Sequence, residues 1–284
     1  MAEAADPTYA VTGSTGRLGG RIAQRLAAAG LPQTLLARTP ERAPELPGGR
    51  VVPGSYADQD ALTAALRPTD RVLMVSAAET LDRVEQHRTF VDAAARVGVA
   101  HLVYISFCGA GPDATFTLAR DHWHTEEHIR ASGLPFTFLR DNLYADFTPM
   151  LAGDDGVIRG PGGQGRVAVV AQDDIADAAT AVLTHATDHA GATYNLTGPH
   201  AVDLATVAAI LTEHTGQTVR YHEETIDEAY RSRASYGAPA WQVDAWVSTY
   251  TAIAAGELAE VTDDIPRLTG HPATSLADVV RAAA

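Results

Sequence analysis

The chain has 284 residues and a formal net charge of −14, and all 21 of its cations are arginine because there is no lysine. Chemistry that needs a side-chain amine is thereby excluded: a Schiff base, a Walker-type lysine or a Tyr-x-x-x-Lys dyad. The acidic balance without a basic block argues against nucleic acid as a partner, and no run approaches the ~18 apolar residues of a membrane span. The single cysteine, Cys108, forms no internal disulfide, which fits a reducing compartment. Met1 to Pro7 is small and acidic, without the basic and apolar regions of a signal peptide, so the expected location is the cytoplasm.

Short apolar runs alternate with helical patterns through the first half. Tyr9–Val11, Thr34–Ala37, Arg50–Val52, Arg71–Val75, Leu102–Ser106 and Phe136–Leu139 read as buried strands, continuous rather than alternating. Between them, Leu18, Ile22 and Leu26 mark one helix, and Leu81, Val84, Phe90, Val91 and Ala94 another that Gly98 closes. This repetition predicts an α/β, doubly wound parallel sheet, a Rossmann core with helices on both faces. After Tyr144 the rhythm changes. Residues 153–165 hold six glycines and one proline, predicting loop or hairpin. Asp173–His185 predicts a helix, Thr193–Leu196 a strand and Asp203–His214 a helix stopped at Gly216. Residues 221–284 read as a small, mainly helical part. The expected division is a dinucleotide-binding core over 1–150, to which 167–200 returns, and a substrate-covering part over 151–166 and 201–284.

The first strand runs into Thr12-Gly13-Ser14-Thr15-Gly16-Arg17-Leu18-Gly19 and then helix, a G-x-x-G-x-x-G spacing. Such glycines let the backbone turn sharply and approach a pyrophosphate, which the helix N-terminus then meets with free N–H groups. The bland alternative is a glycine-rich turn. The end of the second strand selects the cofactor: an acid there binds ribose hydroxyls of NAD, an arginine the 2′-phosphate of NADP. Arg38 stands there, 19 residues after Gly19, with Arg17 as a second cation. NADPH is therefore expected over NADH.

Thr12–Gly19, Tyr104-Ile105-Ser106, Thr125-Glu126-Glu127 with Ala131–Pro135, and Leu139–Tyr144 resemble the NmrA-like branch of the atypical short-chain dehydrogenase/reductases. Within it the chain looks most like NAD(P)H:quinone reductases and triphenylmethane reductases, from about Tyr9 to the end. The resemblance implies NADPH across Gly13, Thr15, Gly16, Arg17, Leu18, Gly19, Arg38, Ser76 and Ala77, reaching Ser106 and Phe107. It implies a small conjugated acceptor between the nicotinamide and the C-terminal part, touched by Phe107, Asp141, Asn142 and Tyr144. Two departures stand out: Ser55 where many members show an acid, and Leu139-Arg140-Asp141-Asn142 in place of Leu-Arg-Asn.

By the same resemblance, Leu118 and His122 occupy the places of the missing Tyr-Lys dyad. An ordinary ketone reduction would then lack its proton donor, whereas a quinone or an extended cation delocalises the incoming charge and needs less acid help. The expected catalytic residues are His122 and Tyr144. For His122 the alternative is a buried, hydrogen-bonded imidazole; for Tyr144 it is core packing. His124-Thr125-Glu126-Glu127-His128 spells H-x-x-E-H, but at about 100° per residue that face points away from His122 and reads as a solvent-facing stripe, so no metal is expected. Cys108 reads as a packed residue, and Trp241, Trp246 and Tyr250 as a helix packing face. The expected activity is hydride transfer to a conjugated small molecule, with a non-catalytic NAD(P)-sensing regulator as the alternative. The expected assembly is a monomer or homodimer.

Overall fold

The computed structural model describes residues 8–67 and 69–283; the chain start, Met1 to Pro7, lies outside them. The first-half strands are β1 (Tyr9–Thr12), β2 (Gln33–Ala37), β3 (Gly49–Pro53), β4 (Arg71–Met74), β5 (His101–Phe107) and β6 (Phe136–Asp141). Later come β7 (Val157–Gly160), β8 (Arg166–Val167), β9 (Thr193–Leu196), β10 (Val202–Asp203) and β11 (Arg220–Glu223). One seven-stranded sheet has the order β3-β2-β1-β4-β5-β6-β9, and its ladders from β3 through to β5 are parallel. β1 has β2 on one side and β4 on the other, so the connections leave it in opposite directions. In such a sheet the carboxyl ends of those strands frame the ligand crevice.

The sheet is built as the continuous apolar runs predict. Every residue of β1, β2 and β5 is buried, as strands covered on both faces require. Helices α1 (Arg17–Ala28), α2 (Gln59–Ala65), α3 (Arg83–Val97), α4 (Thr117–Ser132) and α5 (Gln172–Thr184) supply the cover. Leu62 of α2, Phe90 of α3 and Ile129 of α4 share a core with Tyr104 and Phe138. Arg25 of α1 reaches Asp177 of α5 at 2.6 Å. β3 departs from the expected buried strand: it is the sheet edge, and Val51 is 37% exposed. α3 departs too. It starts at Arg83, leaving Leu81 exposed, and its buried face carries Arg83 and His87 beside Phe90, Val91 and Ala94. That face is legible as apolar only at its C-terminal end, because its N-terminal end is buried through hydrogen bonds.

Two compact units divide the chain. The first takes the chain to Ser106, then His122–Leu139 and Ile175–Tyr194; the second takes Phe107–Asp121, Arg140–Asp174 and the chain from Asn195. In the second unit β7 pairs with β11 in parallel and β8 with β10 antiparallel. Helices α6 (Leu204–Thr215), α7 (Ile226–Arg233) and α8 (Ala240–Ala254) accompany them. The glycine-rich stretch predicted as loop or hairpin thus holds β7, whose partner lies about sixty residues on.

Candidate functional site

β1 ends in Thr12 and the chain turns at Gly13, whose φ of 65° lies in the left-handed region that glycine enters without strain. A Cβ added to Gly19 would lie 2.8 Å from the Thr12 carbonyl oxygen and closer still to that of Gly13, so the helix packs on the turn only because position 19 has no side chain. Gly16 caps α1 in extended conformation with no side-chain cap bond, and the first turn holds no acid. The N–H groups at this end are therefore left for an anion. Beside them the Ser14 hydroxyl is buried with no hydrogen-bond partner among the described residues. A cradle that a Cβ would fill, an uncapped helix and an orphaned hydroxyl together fit a pyrophosphate.

A recess with about 600 Å³ of empty space opens at these strand ends. Gly13 and Thr15 line it after β1, Arg38 after β2, and Ser76 and Ala77 after β4. Arg38 is exposed, and among the described residues no acidic side chain lines the recess. Tyr56, after β3, closes its floor: its hydroxyl donates to the Val75 carbonyl at 2.6 Å and lies 2.6 Å from Thr12 Oγ1, which accepts the Val75 N–H at 2.8 Å. Burial, first of all, pushes the Tyr56 phenol above its ordinary range. Four expected residues stand back from the recess wall: Gly16, Arg17, Leu18 and Gly19 form the start of α1, with Leu18 packed inward.

Ser106 is fully buried and donates to Glu126 Oε1 at 2.6 Å. His122 is buried with both ring nitrogens engaged. Arg83 lies 3.2 Å from Nε2; a guanidinium only donates, so Nε2 accepts and Nδ1 carries the proton, 2.9 Å from the Tyr104 hydroxyl. Tyr104, Thr125 and Glu126 enter the sequence reading only within the motifs that carry the resemblance, and Arg83 not at all, although it sits one turn before His87 and so shares its face. The H-x-x-E-H face is turned outward as the wheel predicts: His124 and Glu127 are exposed, Glu127 pairs with Arg130, and His128 with Asp92 at 2.8 Å.

The second unit gathers Phe107, Asp141, Asn142 and Tyr144. Tyr144 donates to Asp141 Oδ2 at 2.7 Å. The Asn142 amide donates to the Leu258 carbonyl at 3.0 Å and accepts the Leu143 N–H at 2.8 Å. Phe107 packs edge-on against Phe116, with ring centres 5.0 Å apart. Cys108 is buried, and its thiol donates to the Arg140 carbonyl. A separate cavity with about 1320 Å³ of empty space is lined by Leu143, Met150, Arg233, Trp246 and Tyr250, so α8 presents Trp246 and Tyr250 to open space as well as to packing. Arg233 is 8% exposed, pairs with Glu224 at 2.9 Å and lies over the Tyr250 ring.

Residues 13–186 match the model of a family described as NAD(P)H-binding. The chain belongs to that family. The (4-alkanoyl-5-oxo-2,5-dihydrofuran-3-yl)methyl phosphate reductase of Streptomyces griseus is 36% identical over 94% of this chain and 95% of its own. A structure of the NADPH-dependent quinone oxidoreductase QOR2 of Escherichia coli complexed with NADPH is 31% identical, with a TM-score of 0.88 over 97% of this chain and 99% of that one. The Citrobacter sp. triphenylmethane reductase complexed with NADP(H) is 30% identical, with a TM-score of 0.86 over 97% of this chain and 100% of that one. End-to-end likeness of this degree places the chain among the NAD(P)H-dependent oxidoreductases. Among the described residues no helix is long and apolar enough to cross a membrane.

Proposed function

We propose that this protein is an NADPH-dependent reductase that passes hydride to a small conjugated electrophile, a quinone or a molecule of similar delocalisation. The observation that carries the cofactor choice is Arg38, exposed on the recess wall after β2, with no acid in that wall among the described residues. There it pairs with a 2′-phosphate, which NADH lacks. Gly13 to Gly19 take the pyrophosphate, with Arg17 as a further cation. Ser76 and Ala77, on the recess wall, and Ser106 and Phe107 complete the residues read as holding the cofactor. When bound, the cofactor supplies hydride from its reduced nicotinamide.

What the chain lacks supports the acceptor class. No lysine exists to lower a tyrosine pKa, and the dyad places hold Leu118 and His122. His122 orients its surroundings through Arg83 and Tyr104. Phe107, Asp141, Asn142 and Tyr144 are read as the acceptor contacts, and the Tyr144 hydroxyl, bonded to Asp141, as a proton reserve. The relatives' names point to one chemistry. A quinone, a triarylmethyl cation and a furanone with an alkanoyl group beside its ring carbonyl each spread or cancel the incoming charge, so hydride transfer does not wait on a strong acid.

The test is a fluorescence titration with NADPH and with NADH, followed by NADPH oxidation with menadione and with a cationic triarylmethane dye. Binding of NADPH that weakens about tenfold or more in Arg38→Ala, with NADH unaffected, supports the cofactor assignment. Turnover of either acceptor supports reduction. A protein that binds neither nucleotide, or binds NADPH and turns over no acceptor, overturns it.

A further inference from the structure

Residues 75–82 join β4 to α3 without regular secondary structure, so no strand ladder holds their peptides. Ala77 lies in this run and on the recess wall. Both of its backbone polar groups are held by side chains of α3. Its N–H donates to His87 Nε2 at 2.8 Å, and its carbonyl accepts from Arg83 Nε at 3.1 Å. His87 and Arg83 are 0% and 5% exposed, and neither lines the recess.

These two side chains are themselves fixed. His87 Nε2 accepts, so Nδ1 carries the proton and donates to Thr125 Oγ1 at 2.8 Å. On the other side, His122 Nε2 accepts from Arg83 and His122 Nδ1 donates to the Tyr104 hydroxyl oxygen. Two chains of bonds thus end on Ala77: Thr125 through His87 on its N–H, and Tyr104 through His122 and Arg83 on its carbonyl. Elements β5 and α4 back the two α3 side chains that hold one loop residue.

We propose that Arg83 and His87 are positioning residues for the cofactor, holding Ala77 in the shape that NADPH fits. The proposal rests on the reading of the recess as the NADPH site. Fixing a backbone residue costs conformational entropy, and the clamp imposes that order in the free protein, so binding does not have to. His87 must be neutral and in the Nδ1–H form for this, because a proton on Nε2 would face the Ala77 N–H. Thr125 enforces that form by accepting from Nδ1.

The experiment compares His87→Leu, His87→Gln and Thr125→Val with the natural protein. Packing alone favours Leu over Gln at a fully buried position; the clamp favours Gln, whose side-chain carbonyl can take the Ala77 N–H. We expect the NADPH Kd to rise about tenfold in His87→Leu, the loss of one buried hydrogen bond, and to return within about threefold in His87→Gln. Thr125→Val, which keeps the volume, raises Kd without a matching loss of thermal stability. In all three, kcat at saturating NADPH stays within about twofold while KM for NADPH follows Kd. The Ala77 amide exchanges slowly with solvent deuterium in the free natural protein and fast in His87→Leu. Equal Kd in all four proteins overturns the clamp and leaves the recess assignment standing. A natural protein that binds no NADPH overturns both.

Discussion

The Ser106 hydroxyl, at the end of β5, donates to Glu126 Oε1 at 2.6 Å, with both residues 0% exposed. A carboxylate held in the interior depends on each donor it retains; Arg130, at 3.3 Å from Oε2, is another. Ser106→Ala is therefore expected to lose about 1–3 kcal/mol of stability, read as a lowered urea midpoint at constant slope. Glu126→Gln with Ser106 intact should lose less, since the amide oxygen still accepts.

At Gly19 a methyl group has nowhere to go. Its neighbours are the backbone carbonyls of Thr12 and Gly13, which move only if the turn after β1 moves. Gly19→Ala should cost about 1–3 kcal/mol and weaken NADPH binding by tenfold or more, because the strained turn is the one proposed to meet the pyrophosphate. Gly16→Ala, whose Cβ meets the Gly13 carbonyl oxygen at 3.3 Å, should be markedly milder. Isothermal titration of both variants checks the order.

Stability should fall on mild acidification. Burial, then the neighbouring Arg83, pushes His87 down from 6.5 to about 3. Burial, then Arg71, pushes His101 down to about 4. Tyr56 and Tyr104 face the His87 ring, Thr125 takes its Nδ1 proton, and Glu126 follows on α4. A base whose folded pKa is lowered is protonated first in the unfolded chain. Its effect is thus absent above about pH 6.5 and grows as pH falls toward the folded value, at up to about 1.4 kcal/mol per pH unit for each histidine. Urea unfolding between pH 7.5 and 4.5 should show this slope, and His87→Gln should reduce it.

In the second unit, Glu224 and Arg233 form an ion pair with exposures of only 5% and 8%. Removing one partner leaves a buried charge, so Glu224→Ala should cost about 3–5 kcal/mol. Replacing the pair with Glu224→Leu and Arg233→Met should recover part of that loss. Full recovery is not expected, since Arg233 also donates to the Arg159 carbonyl at 2.9 Å. Thermal melting of the single and double variants measures both.

Local signals were legible. The apolar runs of β1, β2 and β5, the glycine spacing after β1 and Arg38 after β2 all express short-range rules, and the structure gathers Gly13, Thr15, Arg38, Ser76 and Ala77 at one recess. The β7–β11 and β8–β10 pairs were not legible, because strands such as Arg220–Glu223 are mixed in polarity and find their partners far along the chain. The bonded chains through Tyr104, Thr125 and Arg83 were hidden for the same reason. Nothing in the spacing of a tyrosine on a strand, a threonine on one helix and an arginine on another shows that they meet. What His87 does in the fold depends on a backbone N–H that no side-chain pattern reveals.

The burial of Cys108 bears on what the protein can survive. Its thiol donates to the Arg140 carbonyl, and burial, followed by the charge of Asp141, pushes it well above the ordinary thiol range, so thiolate, the form that attacks electrophiles, is scarce. With no lysine in the chain, the protein offers a conjugated electrophile neither a side-chain amine nor an accessible thiolate. Quinones and their kin arylate such groups. On the proposed reading of the acceptor, a catalyst built without side-chain amines or accessible thiolate meets such molecules turnover after turnover without being alkylated by them.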